Sequence, residues 1–147
     1  MQDAAFTSIQ SAVYARLYTT IYKFIFDRYR PYQTNPDTRN THLVFKPFSG
    51  KSSFPSGHAT IAFALVTPWF FYYPHWSTAL LFLVSIGTCI ARLGLDKHWT
   101  TDVMAGAAIG FFTGYYLAKM HQKQFQSVWM TPLIDDNNTG LNITFYF

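Results

Sequence analysis

Three short polar clusters interrupt an otherwise apolar sequence, and their residue types are those that phosphoryl chemistry requires. They are Lys23 with Arg30–Pro31, then Pro55–His58, then Arg92 with His98 and Asp102. A phosphoryl group under attack spreads negative charge over its equatorial oxygens, so a site must supply fixed cations and N–H donors. A guanidinium group binds two such oxygens at once, and an ammonium group adds a point charge. The clusters therefore contain what is needed to hold a phosphate and attack its phosphorus.

The spacing of the titratable residues suits nucleophilic catalysis. His98 and Asp102 are four residues apart, so on a helix they would share one face. The carboxylate would then accept a hydrogen bond from one ring nitrogen and leave the other free to attack. The chemistry also needs an acid that protonates the leaving oxygen, and His58 is available for that role.

Each cluster also has a plainer interpretation. A His–Asp pair at helical spacing is often only a buried hydrogen-bonded pair. Lys23 with Arg28 and Arg30 would suit a solvated helix end, and Arg92 would suit the charged flank of a membrane helix. Each of these interpretations explains one cluster and leaves the other two unexplained, so we favour a phosphate site.

The same spacings place the clusters at helix ends. Lys23 and Arg30 are seven apart, nearly on one helix face, and Pro31 disfavours helix at Arg30. Arg92 and His98 are six apart, which a continuous helix would put on nearly opposite sides, so we predict a break near Gly94. The sequence Pro55–His58 opens an apolar run and predicts a helix start, whose free backbone N–H groups would face an anion.

Apolar runs predict the helices that must position these clusters. A first helix is predicted at about Ala5–Phe26. The stretch 52–91 contains no Asp, Glu, Lys or Arg and is interrupted around Tyr73–His75, which predicts a hairpin of two apolar helices. A third uncharged run, Val103–Ala118, is rich in small residues that permit close helix packing. We therefore predict an all-α bundle of about four or five core helices over residues 1–126, with the clusters at one end.

The composition changes after residue 126. The segment Asp135–Asn138 predicts a turn, and the alternation over Leu141–Phe145 predicts a short strand. Residues 127–147 are therefore interpreted as an irregular or strand-like C-terminal tail, and no role is predicted for it.

Composition bears on where the chain operates. It has 147 residues, a formal net charge of +4, and half of its residues are hydrophobic, which is enough for one helical domain. The apolar runs are about 15 to 18 residues long, at or below the length that spans a bilayer. The mean hydropathy of +0.06 is also low for an integral membrane protein. Aromatic residues around the hairpin turn suit a membrane interface or the core of a soluble bundle. We expect membrane association and no nucleic-acid partner.

The three clusters resemble the signature of the type 2 phosphatidic acid phosphatase superfamily, which includes lipid phosphatases, bacterial acid phosphatases and vanadium haloperoxidases. The motifs K-x6-RP, PSGH and R-x5-H-x3-D occur in order as Lys23–Pro31, Pro55–His58 and Arg92–Asp102. The third motif usually begins with Ser, where this chain has Ala91, which removes one neutral hydrogen-bond donor. The matched region runs from about the first helix to Lys119.

The resemblance implies a role for each motif residue. His98 would be the nucleophile that forms a phosphohistidine, and Asp102 would orient its ring. His58 would protonate the leaving alcohol and then activate water. The phosphate would be held by the cations and donors of the three motifs, which are Lys23, Arg30, Arg92, Ser56 and Gly57. The resemblance implies no metal and no other cofactor.

The expected function is hydrolysis of a phosphomonoester or diphosphate, of a lipid, in the bacterial cell envelope. If four helices cross a bilayer, all three motifs fall on one side, and the positive charge near Lys119 and Lys123 fits the cytoplasmic side. The active site would then face away from the cytoplasm.

Three alternatives stay open. One is a soluble periplasmic non-specific acid phosphatase, and another is a non-catalytic phosphate-binding membrane protein. A haloperoxidase is less expected, because that activity needs bound vanadate and usually a much larger chain. The lipid phosphatases that the chain resembles commonly have two further helices before the first motif. This sequence has one predicted helix there, so a fragment or a processed form is expected.

Overall fold

The computed structural model describes residues 1–33, 47–48, 50, 52–126, 128–135 and 138–145. Within these residues there are four α-helices, which are α1 (Gln2–Phe26), α2 (Gly57–Tyr72), α3 (Trp76–Gly94) and α4 (Thr100–Gln126). A short 3-10 turn, Pro31–Gln33, follows α1, and the strands β1 (Val128–Asp135) and β2 (Asn138–Phe145) pair as an antiparallel hairpin. The predicted all-α bundle is confirmed, and the strand expected near Leu141 lies within β2.

The helices end where local sequence signals predict. The break between α2 and α3 contains Pro74, and α3 begins after His75, whose backbone N–H donates to Thr78 Oγ1 at 3.3 Å. Helix α3 ends at Gly94, the predicted break between Arg92 and His98. The α2–α3 and α3–α4 connections are short and reverse the chain direction, and the Ser53 N–H donates to Arg28 O at 3.0 Å. The end of α1, the start of α2, the end of α3 and the start of α4 therefore lie at one end of the bundle.

Small side chains fill the interior of the bundle, and large apolar side chains face outward. The buried apolar residues include Ala4, Ala15, Ala59 and Ala64, and they lie among buried threonines and serines. Several of these hydroxyls donate to the carbonyl one turn earlier, as Thr19 Oγ1 does to Ala15 O at 2.8 Å and Thr60 Oγ1 does to Ser56 O at 2.9 Å. Large apolar residues on α1, α3 and α4 are more than one-third exposed, including Phe6, Ile9, Val13, Leu83, Val84, Ile90 and Phe112. This distribution is the reverse of that in water-soluble proteins.

Helix α3 stands apart in composition. It is long and apolar enough to cross a membrane, with 19 residues, a mean hydropathy of 1.6 and only 6% of its length buried inside the protein. It packs on α2 through Ser85, whose Oγ donates to Ala62 O at 3.1 Å, and through the Phe63 and Phe82 rings, whose centroids are 5.9 Å apart. In the part of the chain that the structure describes, α3 is the one helix that qualifies by length and composition.

Helices α2 and α4 approach closely because glycine recurs every fourth residue on α4, as the small-residue run predicts. A Cβ atom added to Gly106 would lie 2.4 Å from Ser56 O, and one added to Gly110 would lie 2.1 Å from Thr60 O. Neither separation is sterically possible, so these positions require glycine. The contact at Gly106 holds the residue that precedes α2 against the first turns of α4.

We expect Gly110→Ala to lower the free energy of unfolding by about 2–3 kcal/mol, because the new methyl group would force α2 and α4 apart. Gly87→Ala is the matched control, since its Cβ would meet nothing within 4 Å, and it should be neutral or stabilise by up to about 1 kcal/mol. Denaturation of the purified protein followed by circular dichroism measures both. Equal stability of Gly110→Ala and the wild type would contradict the close packing.

Candidate active site

The bundle end described above brings the three sequence motifs together. Lys23 lies in the last turn of α1, and Arg92 lies in the last turn of α3. Ser56 is the N-cap of α2, and His98 precedes the first residue of α4 by two positions. The predicted clustering of the motifs at one end of the helices is therefore observed.

Asp102 is completely buried and joins the segments that meet at this end. Its Oδ1 accepts a hydrogen bond from Arg28 Nη1 at 2.8 Å, and its Oδ2 accepts from Ser53 Oγ at 2.6 Å and from the Trp99 backbone N–H at 3.0 Å. Arg28 Nη1 also donates to Thr101 Oγ1 at 2.7 Å. The carboxylate thus ties the chain after α1, the chain before α2 and the start of α4 into one unit.

The surroundings of Asp102 stabilise its negative charge. Burial alone would raise the pKa of the Asp102 carboxyl, but the donors around it and the positive charge of Arg28 outweigh burial and hold the pKa below its usual range. Asp102 is therefore ionised at neutral pH, and its ion pair with Arg28 is shielded from water.

His98 is buried and is oriented by a backbone carbonyl. Its Nδ1 lies 2.9 Å from Ser53 O and 3.8 Å from Asp102 Oδ2, and the second separation is too long for a hydrogen bond. A carbonyl oxygen only accepts hydrogen bonds, so Nδ1 carries the ring proton and Nε2 of the neutral ring keeps its lone pair. His98 lies before α4 rather than on it, so the pair does not share a helix face. Asp102 instead holds Ser53, and Ser53 holds the ring.

Two of the donors expected to bind phosphate are buried and unsatisfied. Ser56 Oγ makes no capping bond, and neither Ser56 Oγ nor Arg92 Nε has a hydrogen-bond partner among the described residues. Buried polar atoms are nearly always paired, so two such atoms at one end of the bundle, at the start of α2 and the end of α3, indicate a ligand site. The backbone N–H groups of the first turn of α2, from Gly57 onward, also lack intrahelical partners. A third unsatisfied atom, Ser8 Oγ, lies near the opposite end of α1.

The cations of the site repel one another in the absence of an anion. Lys23 Nζ donates to Ser52 O at 2.7 Å. Burial, together with the positive charges of Arg30 and Arg16, lowers the pKa of Lys23 to about 8. Such a concentration of positive charge is the expected electrostatic character of an anion site.

His58 and Arg30 complete the predicted set. Arg30 is half-buried, and its backbone N–H donates to Gln33 Oε1 at 3.2 Å. His58 is exposed overall, but part of its ring is shielded from water. This partial desolvation is the largest cause that lowers the pKa of the imidazole, and the positive charge of Arg92 is the next. Ala91, which replaces the usual serine, is exposed on the last turn of α3. All eight predicted site residues therefore lie at the same end of the bundle.

Sequence reasoning missed two residues of this site. Arg28, interpreted as part of a solvated helix end, is buried beside Asp102 and lies 5.2 Å from the centroid of the Trp99 ring. Ser53 was assigned no role, although both its hydroxyl and its carbonyl take part in the network. Its position two residues before Pro55 was the one available signal. No cluster of three His, Cys, Asp or Glu side chains suited to a metal occurs in the described ranges.

Known proteins with similar sequences point to the same chemistry. The chain is 32% identical to a lipid A 1-phosphatase of Porphyromonas gingivalis over 94 residues, which is 62% of this chain and 19% of that protein. It is 30% identical to a lipid A 4'-phosphatase of the same organism over 114 residues, which is 72% of this chain and 45% of that protein. It is 28% identical to a putative undecaprenyl-diphosphatase, YbjG, of Escherichia coli over 75 residues, 51% of this chain and 38% of that protein. No solved structure shows a significant match.

The chain spans less than half the length of each of these relatives. The family model of the PAP2 superfamily matches most of this chain, over residues 4–126. That range contains all three motifs and nearly all of the four helices that position them. Motif spacing, the unsatisfied donors at one bundle end and the family match agree, and the chain therefore belongs to the PAP2 superfamily.

Proposed function

We propose that the protein is a phosphatase that hydrolyses a phosphorylated lipid through a phosphohistidine on His98, without a metal ion. The observation that carries this proposal is the pair of buried, unsatisfied donors Ser56 Oγ and Arg92 Nε at the bundle end that also presents His98. The relatives described above, which are lipid A phosphatases and a putative undecaprenyl-diphosphatase, support a lipid phosphate as the substrate class.

In the first step, Nε2 of His98 attacks phosphorus while the leaving oxygen departs on the opposite side. Lys23, Arg30 and Arg92 balance the charge on the equatorial oxygens, and the Ser56 hydroxyl and the α2 amides donate to them. His58 protonates the leaving oxygen. A bound phosphate dianion offsets the cations that lower the pKa of His58, so substrate binding favours the protonated acid that this step requires.

The phosphohistidine places positive charge on the His98 ring. The Nδ1–H bond to Ser53 O and the buried Asp102 carboxylate, 3.8 Å away, stabilise that charge. In the second step, the neutral His58 accepts a proton from water as the water attacks phosphorus. The N–P bond breaks, inorganic phosphate leaves, and the ring nitrogen regains its lone pair.

The proposal includes a membrane location with the site at the bilayer surface. The outward-facing apolar side chains and the composition of α3 support insertion, since close packing through small residues is typical of membrane helices. Lys119 and Lys123 lie toward the opposite end of the bundle, which favours a cytoplasmic position for that end and an extracytoplasmic active site. Residues 1–126 would form the phosphatase unit, and residues 127–147 a tail of unassigned role.

Phosphate release by the purified protein in the presence of EDTA tests this proposal. The substrates are phosphatidic acid, a polyprenyl diphosphate and a small aryl phosphate. We expect release from the lipids, with the aryl ester at least about tenfold slower because it lacks the apolar chain. Loss of release with EDTA would contradict metal independence. A preference for the aryl phosphate, with solubility in the absence of detergent, would indicate a soluble acid phosphatase. Phosphate binding without any turnover would indicate a non-catalytic protein.

A further inference from the structure

Arg16 is a cation near the site that none of the three motifs contains. It precedes Lys23 by seven residues on α1, so the two side chains leave nearly the same face of the helix. Their Cα atoms are separated by about 10 Å along the axis, with Arg16 farther from the bundle end. Arg16 is exposed among the apolar residues Val13–Tyr18, and at the membrane location proposed above such a charge requires an explanation in function.

The Arg16 side chain reaches the phosphate-binding start of α2. Its Nη1 lies 2.8 Å from the position that a Cβ atom on Gly57 would occupy, so the guanidinium is adjacent to the buried glycine of the second motif. Among the described residues, the guanidinium makes no hydrogen bond and no ion pair. Its backbone carbonyl is used separately, as the acceptor for Thr20 Oγ1.

Arg16 and Lys23 line one cavity of about 310 Å³. The cavity also contains Asp27, but the carboxylate of Asp27 accepts hydrogen bonds from the backbone N–H groups of Gly50 and Ser52. The positive charge of Arg16 contributes to the lowered pKa of Lys23 and to that of His58. The positive charge of Arg16 therefore acts both on Lys23 of the motif cluster and on His58, the proposed general acid.

We propose that Arg16 binds the second phosphate of a lipid diphosphate while the terminal phosphate occupies the motif cluster. This inference rests on the proposed function and adds the substrate class. A diphosphate carries its lipid on the second phosphate. That phosphate would lie on the side of the terminal phosphate nearer the body of the bundle, where Arg16 is located and where a lipid chain would enter from the bilayer.

Arg16 would act on the leaving group of this reaction. A bond forms between His98 Nε2 and the terminal phosphorus, and the bond from that phosphorus to the bridging oxygen breaks. The electron pair stays on the bridging oxygen, which becomes part of a lipid monophosphate and takes a proton from His58. Because charge builds up on this leaving phosphate, a guanidinium in contact with it stabilises the transition state more than the ground state. A monoester offers no group for Arg16 to bind.

The test compares hydrolysis of a polyprenyl diphosphate and a polyprenyl monophosphate of equal chain length by the wild type and by Arg16→Gln. Loss of one charge-assisted contact should lower the ratio of kcat/KM values, diphosphate over monophosphate, by about 30-fold. Arg16→Lys should recover part of that ratio. Lys119→Gln is the matched control for loss of one positive charge, because Lys119 lies over the Phe71 ring on the last turns of α4, and the ratio should stay at the wild-type value.

A binding measurement separates this inference from the proposed function. Methylenediphosphonate is a diphosphate analogue that cannot be hydrolysed. Arg16→Gln should weaken its binding about 30-fold while weakening the binding of inorganic phosphate far less. If the wild type hydrolyses neither lipid yet this difference in binding holds, the phosphatase proposal fails and the Arg16 site stands. A different result would show that only the Arg16 site is wrong. In that case the wild type hydrolyses the monophosphate, and Arg16→Gln leaves the ratio of kcat/KM values unchanged and weakens the binding of methylenediphosphonate and of inorganic phosphate equally or not at all.

Discussion

His98→Ala is expected to eliminate phosphate release, lowering kcat by about four orders of magnitude or more. The variant keeps the cations and the start of α2 that we propose bind the phosphate, but it lacks the proposed nucleophile. Substrate affinity should therefore fall much less than turnover. Steady-state kinetics on the best lipid substrate measure both quantities, and turnover near the wild-type rate would show that another group is the nucleophile.

A trapping experiment tests the covalent step directly. Denaturing the wild type during turnover of a substrate labelled in its terminal phosphate should leave labelled protein whose bond is labile in acid and stable in base, as expected of a phosphorus–nitrogen bond. His98→Ala should carry no label. His121→Ala is the matched control, because the His121 ring bonds Gln10 at 2.8 Å, far along α4 from the site, and it should be labelled normally. An acid-stable label, or one retained in His98→Ala, would rule out a phosphohistidine at this position.

Much of the fold was predictable because its signals are local. Pro74 and Gly94 act on the backbone within a residue or two, so the helix ends near them follow from sequence alone, whereas α1 ends at Phe26, five residues before Pro31. The recurrence of Gly106 and Gly110 at a spacing of four residues likewise predicted a close helix contact, and the contact observed is with α2. Since each motif is attached to one of these ends, the gathering of the motifs also followed.

The orientation of His98 was not predictable, because its partner is a backbone carbonyl. Every residue has a carbonyl, so no residue type in the sequence marks the one on Ser53 as the acceptor for Nδ1. The spacing of His98 and Asp102 suggested a direct bond between them, but His98 precedes α4, and helical spacing rules do not apply there. The long-range packing of the Ser53 segment decides the geometry.

Burial was the second feature that the sequence did not reveal. Arg28 and Arg30 carry the same charge two residues apart, yet the first is buried against Asp102 and the second is half-exposed. The mean hydropathy of +0.06 is an average over all residues, so it does not report that large apolar side chains face outward and small ones inward. Both distinctions depend on which face of each helix is covered by another.

The second large expected effect is on stability and concerns the buried ion pair between Arg28 and Asp102. Arg28→Leu is expected to lower the free energy of unfolding by about 3–5 kcal/mol, because it leaves the Asp102 carboxylate buried without its cation. This is a large part of the total stability of a domain of this size. Arg28→Lys, which keeps the charge but loses the planar guanidinium, should lose less. Denaturation of purified variants in detergent measures each difference.

The double variant Arg28→Leu with Asp102→Asn shows whether the carboxylate charge causes the loss. Removing that charge should return part of the stability lost in Arg28→Leu, although Asp102→Asn alone is destabilising, so the two substitutions should be strongly non-additive.

The pH dependence of stability gives an independent check. Because the pKa of Asp102 is lowered in the folded wild type, its contribution to stability is present above the unfolded pKa and is lost as pH falls through the folded value. Without Arg28 the pKa of Asp102 should rise, so acidification below about pH 4 should cost Arg28→Leu less stability than it costs the wild type. Additive effects, with parallel pH profiles, would show that Arg28 stabilises the bundle by packing against Trp99 rather than by its charge.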